Sequence, residues 1–121
     1  MTNVGRALYQ FFSSFKIPAY EESSVPDEAA LPYITYSPVE PNWDESSTIT
    51  ASVWYSGTSL VDLFSKIDEI KEKIGEGYRI PIESGGCVWL YRDSPFAQMQ
   101  ETDDDKVKAV YLLIGIHALC K

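Results

Sequence analysis

The stretch SLVDLFSKIDEIKEKI, from Ser59 to Ile74, decides the fold because it is the best-defined amphipathic helix in the chain. Its large apolar residues recur at helical spacing, and charged residues occupy most of the remaining surface. Burying such side chains is worth roughly 1.5–3 kcal/mol each, so we expect the whole stripe to pack on a partner surface. The stripe comprises Leu60, Leu63, Phe64, Ile67, Ile70 and Ile74.

Both ends of this helix are marked in the sequence. Ser59 is a candidate N-cap, with an acidic residue three positions later in an arrangement close to a capping box. Gly75 follows the last apolar residue, where a left-handed C-cap is favoured. Two i,i+4 pairs of opposite charge contribute only ~0.2–0.5 kcal/mol each, so packing decides where the helix lies. These pairs are Asp62–Lys66 and Glu69–Lys73.

The chain before this helix predicts another helix and two strands. An apolar stripe at helical spacing indicates an N-terminal helix, which ends before Pro18 because proline disfavours helix at the preceding residue. The acidic stretch from Ala19 to Ala30 is expected to be a loop. Leu31–Ser37 (LPYITYS) and Thr48–Ser56 (TITASVWYS) are rich in β-forming residues. The apolar stripe of the N-terminal helix consists of Val4, Leu8, Phe11, Phe12 and Phe15. One face of the second strand carries Ile49, Ala51, Val53 and Tyr55.

The chain after the helix predicts two more strands. Tyr78–Ile82 is at most one short extended piece in an irregular segment, and Cys87–Arg92 (CVWLYR) is a strand. Asp93–Asp105 is expected to be a second long loop. Lys106–Ala118 is the most apolar strand, and both of its faces are hydrophobic from Val110 to Ile116. This pattern favours a position inside the sheet with a cover on both sides.

The element order is therefore helix, strand, strand, helix, strand, strand. Such an order predicts a single α+β domain over residues 1–121, with a four-stranded antiparallel or mixed sheet packed against two main helices. A chain of 121 residues with 45% apolar and 23% charged residues is typical of a globular domain of ordinary size.

Charge and hydropathy exclude several classes of protein. The net charge of −8 argues against nucleic-acid binding, which normally depends on a basic patch. No apolar run approaches the ~20 residues of a membrane span. Arg6 and Gln10 interrupt the N-terminal apolar segment, and no cleavage site of small residues follows, so we expect no signal peptide and a cytoplasmic, non-exported chain.

No residue pattern predicts an active site, a metal or a cofactor. His117 is the only histidine and lies in the apolar last strand, where we expect a structural role. Cys87 and Cys120 lack zinc-type spacing; we expect buried free thiols, and a disulfide stays open as the alternative. The acidic run at residues 103–105 lacks the glycine and distal glutamate of a calcium loop. We therefore expect a protein that is not an enzyme.

Two aromatic residues are candidates for partner contacts. Trp43 lies in the long segment Pro38–Ser47, and Phe96 lies in the predicted loop Asp93–Asp105. Solitary aromatic side chains in polar loops often anchor a partner. The alternative is that each side chain folds back onto its own domain.

The order of elements resembles that of a known family. Leu31–Tyr36 (LPYITY), which follows a helix and an acidic loop, resembles the small tail terminator, or tail completion, proteins of long-tailed bacteriophages, of the lambda type. The strand Ile49–Tyr55, running through Ser56 and Gly57 into the helix at Leu60–Ile74, carries the same resemblance. It covers most of the chain in length and element order.

The resemblance implies a virion protein that assembles as a hexameric ring. Such a ring caps the tube made of the major tail tube protein, ends its polymerisation, and joins the tail to the filled head through a head–tail connector protein. It implies a place in the virion tail after assembly in the host bacterial cytoplasm. We expect an acidic cluster, Glu101, Asp103, Asp104 and Asp105, to line the channel, where like-charge repulsion lets DNA pass.

Two alternative functions remain. A neck or head-completion subunit would bind the connector rather than the tail tube. A small enzyme or ligand-binding α+β domain belongs to a different class, and would be a monomer with a deep pocket.

Overall fold

Two helices and six strands make up the part of the chain described by this computed structural model, which covers residues 3–37, 44–82 and 85–119. The helices are α1 (Asn3–Ser13) and α2 (Leu60–Ile74). The strands are β1 (Ala19–Glu21), β2 (Tyr33–Tyr36), β3 (Ser46–Ser56), β4 (Tyr78–Pro81), β5 (Cys87–Gln100) and β6 (Val107–Leu119).

All six strands form one mixed sheet in the order β1-β2-β3-β6-β5-β4. β1 pairs with β2 in parallel, and every other pair is antiparallel. The predicted four-stranded sheet is therefore wrong, although the α+β class is compatible with the structure. The two additional strands, β1 and β4, are short and lie at the two edges of the sheet.

β1 falls inside the stretch Ala19–Ala30 that was expected to be a loop. Its three residues pair with Ile34–Tyr36 of β2, so the neighbouring strand, rather than any periodicity of its own, makes this segment extended. β4 corresponds to the short extended piece expected at Tyr78–Ile82 and pairs with Cys87–Leu90 of β5.

β5 is much longer than the predicted strand Cys87–Arg92. The prediction of a loop at Asp93–Asp105 is therefore wrong as far as Gln100. β5 has a register shift between Arg92 and Ala97, and it then pairs with β6 again over Ala97–Gln100. The connection between β5 and β6 is thus only residues 101–106.

Both helices cover the same face of the sheet. The predicted apolar stripe is buried, although α1 ends at Ser13 and Phe15 follows the helix. Phe12 stacks on Tyr36 of β2 with 4.7 Å between the ring centroids. α2 lies over β3, β6 and β5. The predicted inward face of β3 is confirmed, since Ile49, Ala51, Val53 and Tyr55 are all buried.

The apolar stripe of α2 is only partly buried. Leu63, Ile67, Ile70 and Ile74 lie in the core, but Leu60 is 38% and Phe64 is 49% exposed, so the prediction that all six residues are buried is wrong. With 100° between successive residues, Phe64 lies roughly 90° around the helix from the centre of the buried stripe. That position is on the flank of the helix rather than on the sheet.

The ends and charged pairs of α2 also differ from the prediction. Ser59 makes no side-chain cap hydrogen bond, whereas Gly75 has a positive φ of 55° and its N–H donates to the Lys71 carbonyl. The two expected i,i+4 pairs are replaced by other contacts. Lys66 Nζ lies 2.7 Å from Glu69 Oε2 and donates to the Phe15 carbonyl at 2.6 Å, while Lys73 Nζ lies 2.5 Å from Ser14 Oγ. These lysines tie α2 to the end of α1.

β6 lies between β3 and β5, as expected for the most apolar strand. Its Val110, Leu112, Ile114 and Ile116 side chains are buried under the helices. Tyr111, Leu113 and His117 on the opposite face are half-buried. The prediction of a cover on both sides is therefore wrong for the described residues, because both helices lie on one side.

Candidate functional site

The sheet face that points away from the helices is one candidate surface. We call it the open face, because neither helix of the described chain covers it. Arg79 and Asp93 are its charged side chains over the described strands, although the net charge of the whole chain is −8. On the two central strands it comprises Thr48, Thr50, Ser52, Trp54, Ala109, Tyr111, Leu113, Gly115 and His117.

One half of the open face carries a row of aromatic side chains across β1, β2 and β3. The Tyr20 and Tyr33 ring centroids are 5.8 Å apart, and those of Tyr33 and Trp54 are 6.3 Å apart. Trp54 Nε1 donates to Thr35 Oγ1 at 2.9 Å, which fixes the indole on the sheet. Aromatic groups with one polar atom are enriched at protein interfaces.

The other half is held by hydrogen bonds that pass over β6. Thr48 Oγ1 donates to Asp93 Oδ2 at 3.1 Å, and Ser52 Oγ donates to Gln100 Oε1 at 2.8 Å. Both bonds join β3 to β5, which are not neighbours in the sheet. Gly115 lies between Thr48 and Tyr91 in the strand register, and its missing side chain leaves the space that the Tyr91 ring occupies.

The acidic cluster lies at one end of the sheet, in the connection between β5 and β6. Glu101, Asp103, Asp104 and Asp105 are all exposed there. The turn is tied internally, because Asp104 Oδ1 accepts the Lys106 N–H at 2.9 Å and Thr102 Oγ1 donates to the Val107 carbonyl at 2.7 Å. The Lys106 backbone carbonyl accepts a hydrogen bond from the Gly57 N–H at 2.7 Å, which places the cluster beside the start of α2.

Only one of the two predicted partner contacts lies within the described residues. Trp43 lies outside the described residues. Phe96 lies in β5 rather than in a loop, and its half-buried ring packs against the core. This position matches the alternative that Phe96 folds back onto its own domain.

An exposed apolar set on α2 and β5 was missed by the sequence reasoning. Val61 is 78% exposed, and it adjoins the exposed Leu60 and Phe64. Met99 of β5 is 54% exposed and pairs with the buried Val110, so it lies on the helix-covered side of the sheet. The sequence signal that could have revealed this set is Val61, an apolar residue outside the predicted stripe.

Two tyrosines line shallow cavities and have raised pKa values. Burial, with smaller contributions from Glu21 and Tyr9, raises the pKa of Tyr36 to about 12, and the Tyr36 hydroxyl has no hydrogen-bond partner among the described residues. Its cavity of about 330 Å³ is also lined by Tyr9, Ala19, Tyr20, Glu21 and Ser24.

The second of these tyrosines, Tyr55, lines a cavity of similar size beside α2. Burial, followed by the nearby Asp62 and Glu69 carboxylates, raises the pKa of Tyr55. Ser65 and Lys66 complete the lining.

His117 and Cys87, for which the sequence predicts structural roles, both lie in strands of the sheet. His117 Nδ1 lies 2.9 Å from Ser46 Oγ, so it joins β6 to the start of β3. Cys87 is a buried free thiol, and Cys120 lies outside the described residues. Over residues 3–37, 44–82 and 85–119, no group of three or more histidine, cysteine or acidic side chains could hold a metal ion.

Neither described helix is long and apolar enough to cross a membrane.

No family model matches the chain, and no curated protein matches its sequence.

Proposed function

We propose that this chain is a structural virion protein that caps the tail tube of a long-tailed bacteriophage as a hexameric ring. In this proposal the ring binds the end of the tube formed by the major tail tube protein and ends its polymerisation. It then presents the surface to which the head–tail connector binds. The chain is not an enzyme and uses no cofactor, and it acts in the virion tail after assembly in the host bacterial cytoplasm.

The observation that carries the proposal is the open face. A six-stranded sheet with both helices on one side leaves a broad surface of hydroxyl and aromatic side chains, with few charges, on a strongly acidic chain. Depletion of charge and enrichment of aromatic groups are features of protein interfaces rather than of ordinary surfaces. The resemblance of Leu31–Tyr36 and of the strand-to-helix stretch Ile49–Ile74 to tail terminator proteins supplies the particular assembly.

The position of the acidic cluster supports a channel-lining role. Glu101, Asp103, Asp104 and Asp105 are gathered at one end of the subunit and exposed. A ring that brings this end of each subunit to its axis presents a repeated negative wall, which repels DNA instead of binding it. A ring with these four residues on its outer wall contradicts this part of the proposal.

Imaging tests the proposal. Purified protein is mixed with tail tubes and, separately, with the portal–connector assembly, and both mixtures are examined by negative-stain electron microscopy. We expect additional density at one end of each tube only. Binding to the connector assembly alone would identify a neck or head-completion subunit instead, and a strict monomer that binds neither would leave the ligand-binding alternative.

A further inference from the structure

We propose that the cavity beside Tyr36 binds a primary ammonium group carried on a short apolar stem. This cavity, which we call the tyrosine cavity, is formed by α1, β1, the turn after β1 and the end of β2. Its volume of about 330 Å³ is at the lower end of the range for small-molecule sites, so it suits a small ligand. The inference concerns a single subunit and does not depend on the proposed ring.

β1 and β2 bring a carboxylate beside a buried phenol. Glu21 is the register partner of Tyr36, so the two side chains lie next to each other on the helix-covered side of the sheet, with Cβ atoms roughly 5 Å apart. Tyr36 is 2% exposed, and Glu21 is half-buried. The Glu21 charge contributes to the raised pKa of Tyr36, in agreement with this short separation. At pH 7 the site therefore contains a neutral phenol and one negative charge.

The Tyr36 hydroxyl is the observation that points to a ligand. It is buried and has no hydrogen-bond partner among the described residues. Such unpaired groups are rare in native structures, and they often mark a place that water, an ion or a ligand occupies. Tyr36 lines the buried end of the cavity, whereas Tyr9 at the open end is 44% exposed. A ligand that passes Tyr9 can supply the missing hydrogen bond.

The charge and donors of the lining select the class of ligand. Among the described residues that line the cavity, Glu21 alone is charged, so an anion would be repelled. One carboxylate does not provide the several oxygen ligands that calcium or magnesium needs. A primary ammonium has three N–H donors, so one group can donate to Glu21 and to the Tyr36 oxygen together. A quaternary ammonium has no N–H and cannot pair either oxygen.

The aromatic rings of the cavity suit the rest of such a ligand. The Tyr20 ring lies against Tyr33 on the open face, so the rings that line the cavity are those of Tyr9 and Tyr36. Aromatic faces attract an ammonium group and also pack against an alkyl stem. The buried Ala19 methyl group adds a small apolar surface beside them.

Lys73 shows how this chain holds an ammonium group elsewhere. Lys73 Nζ lies 5.1 Å from the Phe15 ring centroid and 5.6 Å from that of Tyr78, and it also contacts Ser14 Oγ. Aromatic faces and a hydroxyl oxygen thus surround one ammonium just beyond the end of α1. The tyrosine cavity has the same kinds of group and a carboxylate, but no lysine or arginine of the described chain lines it. An ammonium bound there comes from another molecule.

Titration followed by NMR tests the ligand class. The 15N-labelled wild-type chain is titrated at pH 7 with n-butylammonium, and separately with butan-1-ol and tetramethylammonium. We expect butylammonium to shift the amide signals of residues 19–24 and of Tyr36 in a saturable way. Butan-1-ol lacks the charge and tetramethylammonium lacks the N–H donors, so each should bind at least about tenfold more weakly.

A matched pair of variants tests the site. Glu21→Gln and Glu22→Gln each remove one negative charge from adjacent residues, but only Glu21 lines the cavity. We expect Glu21→Gln to weaken butylammonium binding at least about tenfold, and Glu22→Gln to weaken it less than about twofold. Tyr36→Phe retains the ring and should weaken binding about threefold or more. Circular dichroism verifies that each variant is folded.

A lysine side chain and a free amine share this chemistry, and a fourth probe separates the two sources. If lysine blocked at both its α-amino and carboxyl groups binds as tightly as butylammonium, the ligand is a lysine side chain of a partner protein. If the blocked lysine does not bind and butylammonium does, the ligand is a free amine.

Three outcomes overturn the proposal. The first is that butylammonium leaves the amides of residues 19–24 and Tyr36 unchanged. The second is that butan-1-ol or tetramethylammonium binds as tightly as butylammonium. The third is that Glu21→Gln and Glu22→Gln bind butylammonium equally well.

Discussion

Gly115→Ala tests whether the packing of Tyr91 on the open face is as tight as the structure shows. A Cβ atom on Gly115 would lie 2.0 Å from Tyr91 Cε2 and 2.1 Å from Tyr91 Cζ. Such distances are far inside van der Waals contact, so the tyrosine ring must leave its place on the sheet. Gly115 has no positive φ, so its backbone itself accepts alanine.

The expected magnitude follows from two opposing terms. Overpacking of this kind costs typically about 1–3 kcal/mol. The reduced freedom of the unfolded chain offsets about 0.4–1 kcal/mol of that cost when alanine replaces glycine. We therefore expect Gly115→Ala to lower the free energy of unfolding by roughly 1–2 kcal/mol.

A double-mutant cycle in urea supplies the measurement. In a Tyr91→Ala background the clash is absent, so Gly115→Ala should stabilise the protein slightly, by about 0.4–1 kcal/mol. The denaturant slope should be unchanged, because neither variant alters the surface exposed on unfolding by much. If Gly115→Ala has the same cost in both backgrounds, the reasoning about Tyr91 is refuted.

Two further predictions concern buried polar groups. Tyr36→Phe should be neutral or stabilising by up to about 2 kcal/mol at pH 7, because the buried hydroxyl has no hydrogen-bond partner in the described part of the chain. Burial raises the pKa of Tyr36 from 10.0 to about 12 on folding, so between pH 10 and pH 12 the wild type should lose ~1.4 kcal/mol of unfolding free energy per pH unit relative to the variant. Urea unfolding at pH 7 and pH 11 tests both points, and equal losses in the two proteins would contradict the assignment. Lys66→Met should lower the free energy of unfolding by about 1–2 kcal/mol, because the Phe15 carbonyl loses its hydrogen-bond donor. The control variant Lys71→Met changes an exposed lysine and should alter the free energy of unfolding by less than about 0.5 kcal/mol. Equal effects of the two variants in urea unfolding would show that the Lys66 contact is not stabilising.

Long, strongly periodic segments were predictable from the sequence. The buried part of α2, the inward face of β3 and the central position of β6 follow from apolar spacing alone. The error in α2 has a physical origin: spacing shows which residues share a stripe, but the width of the sheet contact decides how much of that stripe is buried. Leu60 and Phe64 fall outside that contact.

The edges of the sheet were not predictable, because partners create them. Ala19–Glu21 is short and acidic, and it becomes a strand through pairing with β2. The second half of β5 contains serine, proline and glutamine, which indicate loop in isolation, yet β6 holds it in register as far as Gln100.

The candidate surfaces depend on the same long-range pairing. The sequence identified the acidic cluster as a set of neighbours, whereas the open face combines residues from six strands. Phe96 was misassigned for the same reason, since its loop proved to be part of β5. Met99 became a candidate only once β5 was seen to extend that far.

Tube elongation in the presence of the protein tests the central claim most directly. The major tail tube protein is polymerised with increasing amounts of this chain, and tube lengths and end densities are measured by electron microscopy. We predict that elongation stops with one ring of about 80 kDa, six copies of the 13.6 kDa chain, at one end of each arrested tube. Tubes that continue to elongate at the same rate, with no density at either end, would contradict the proposed function.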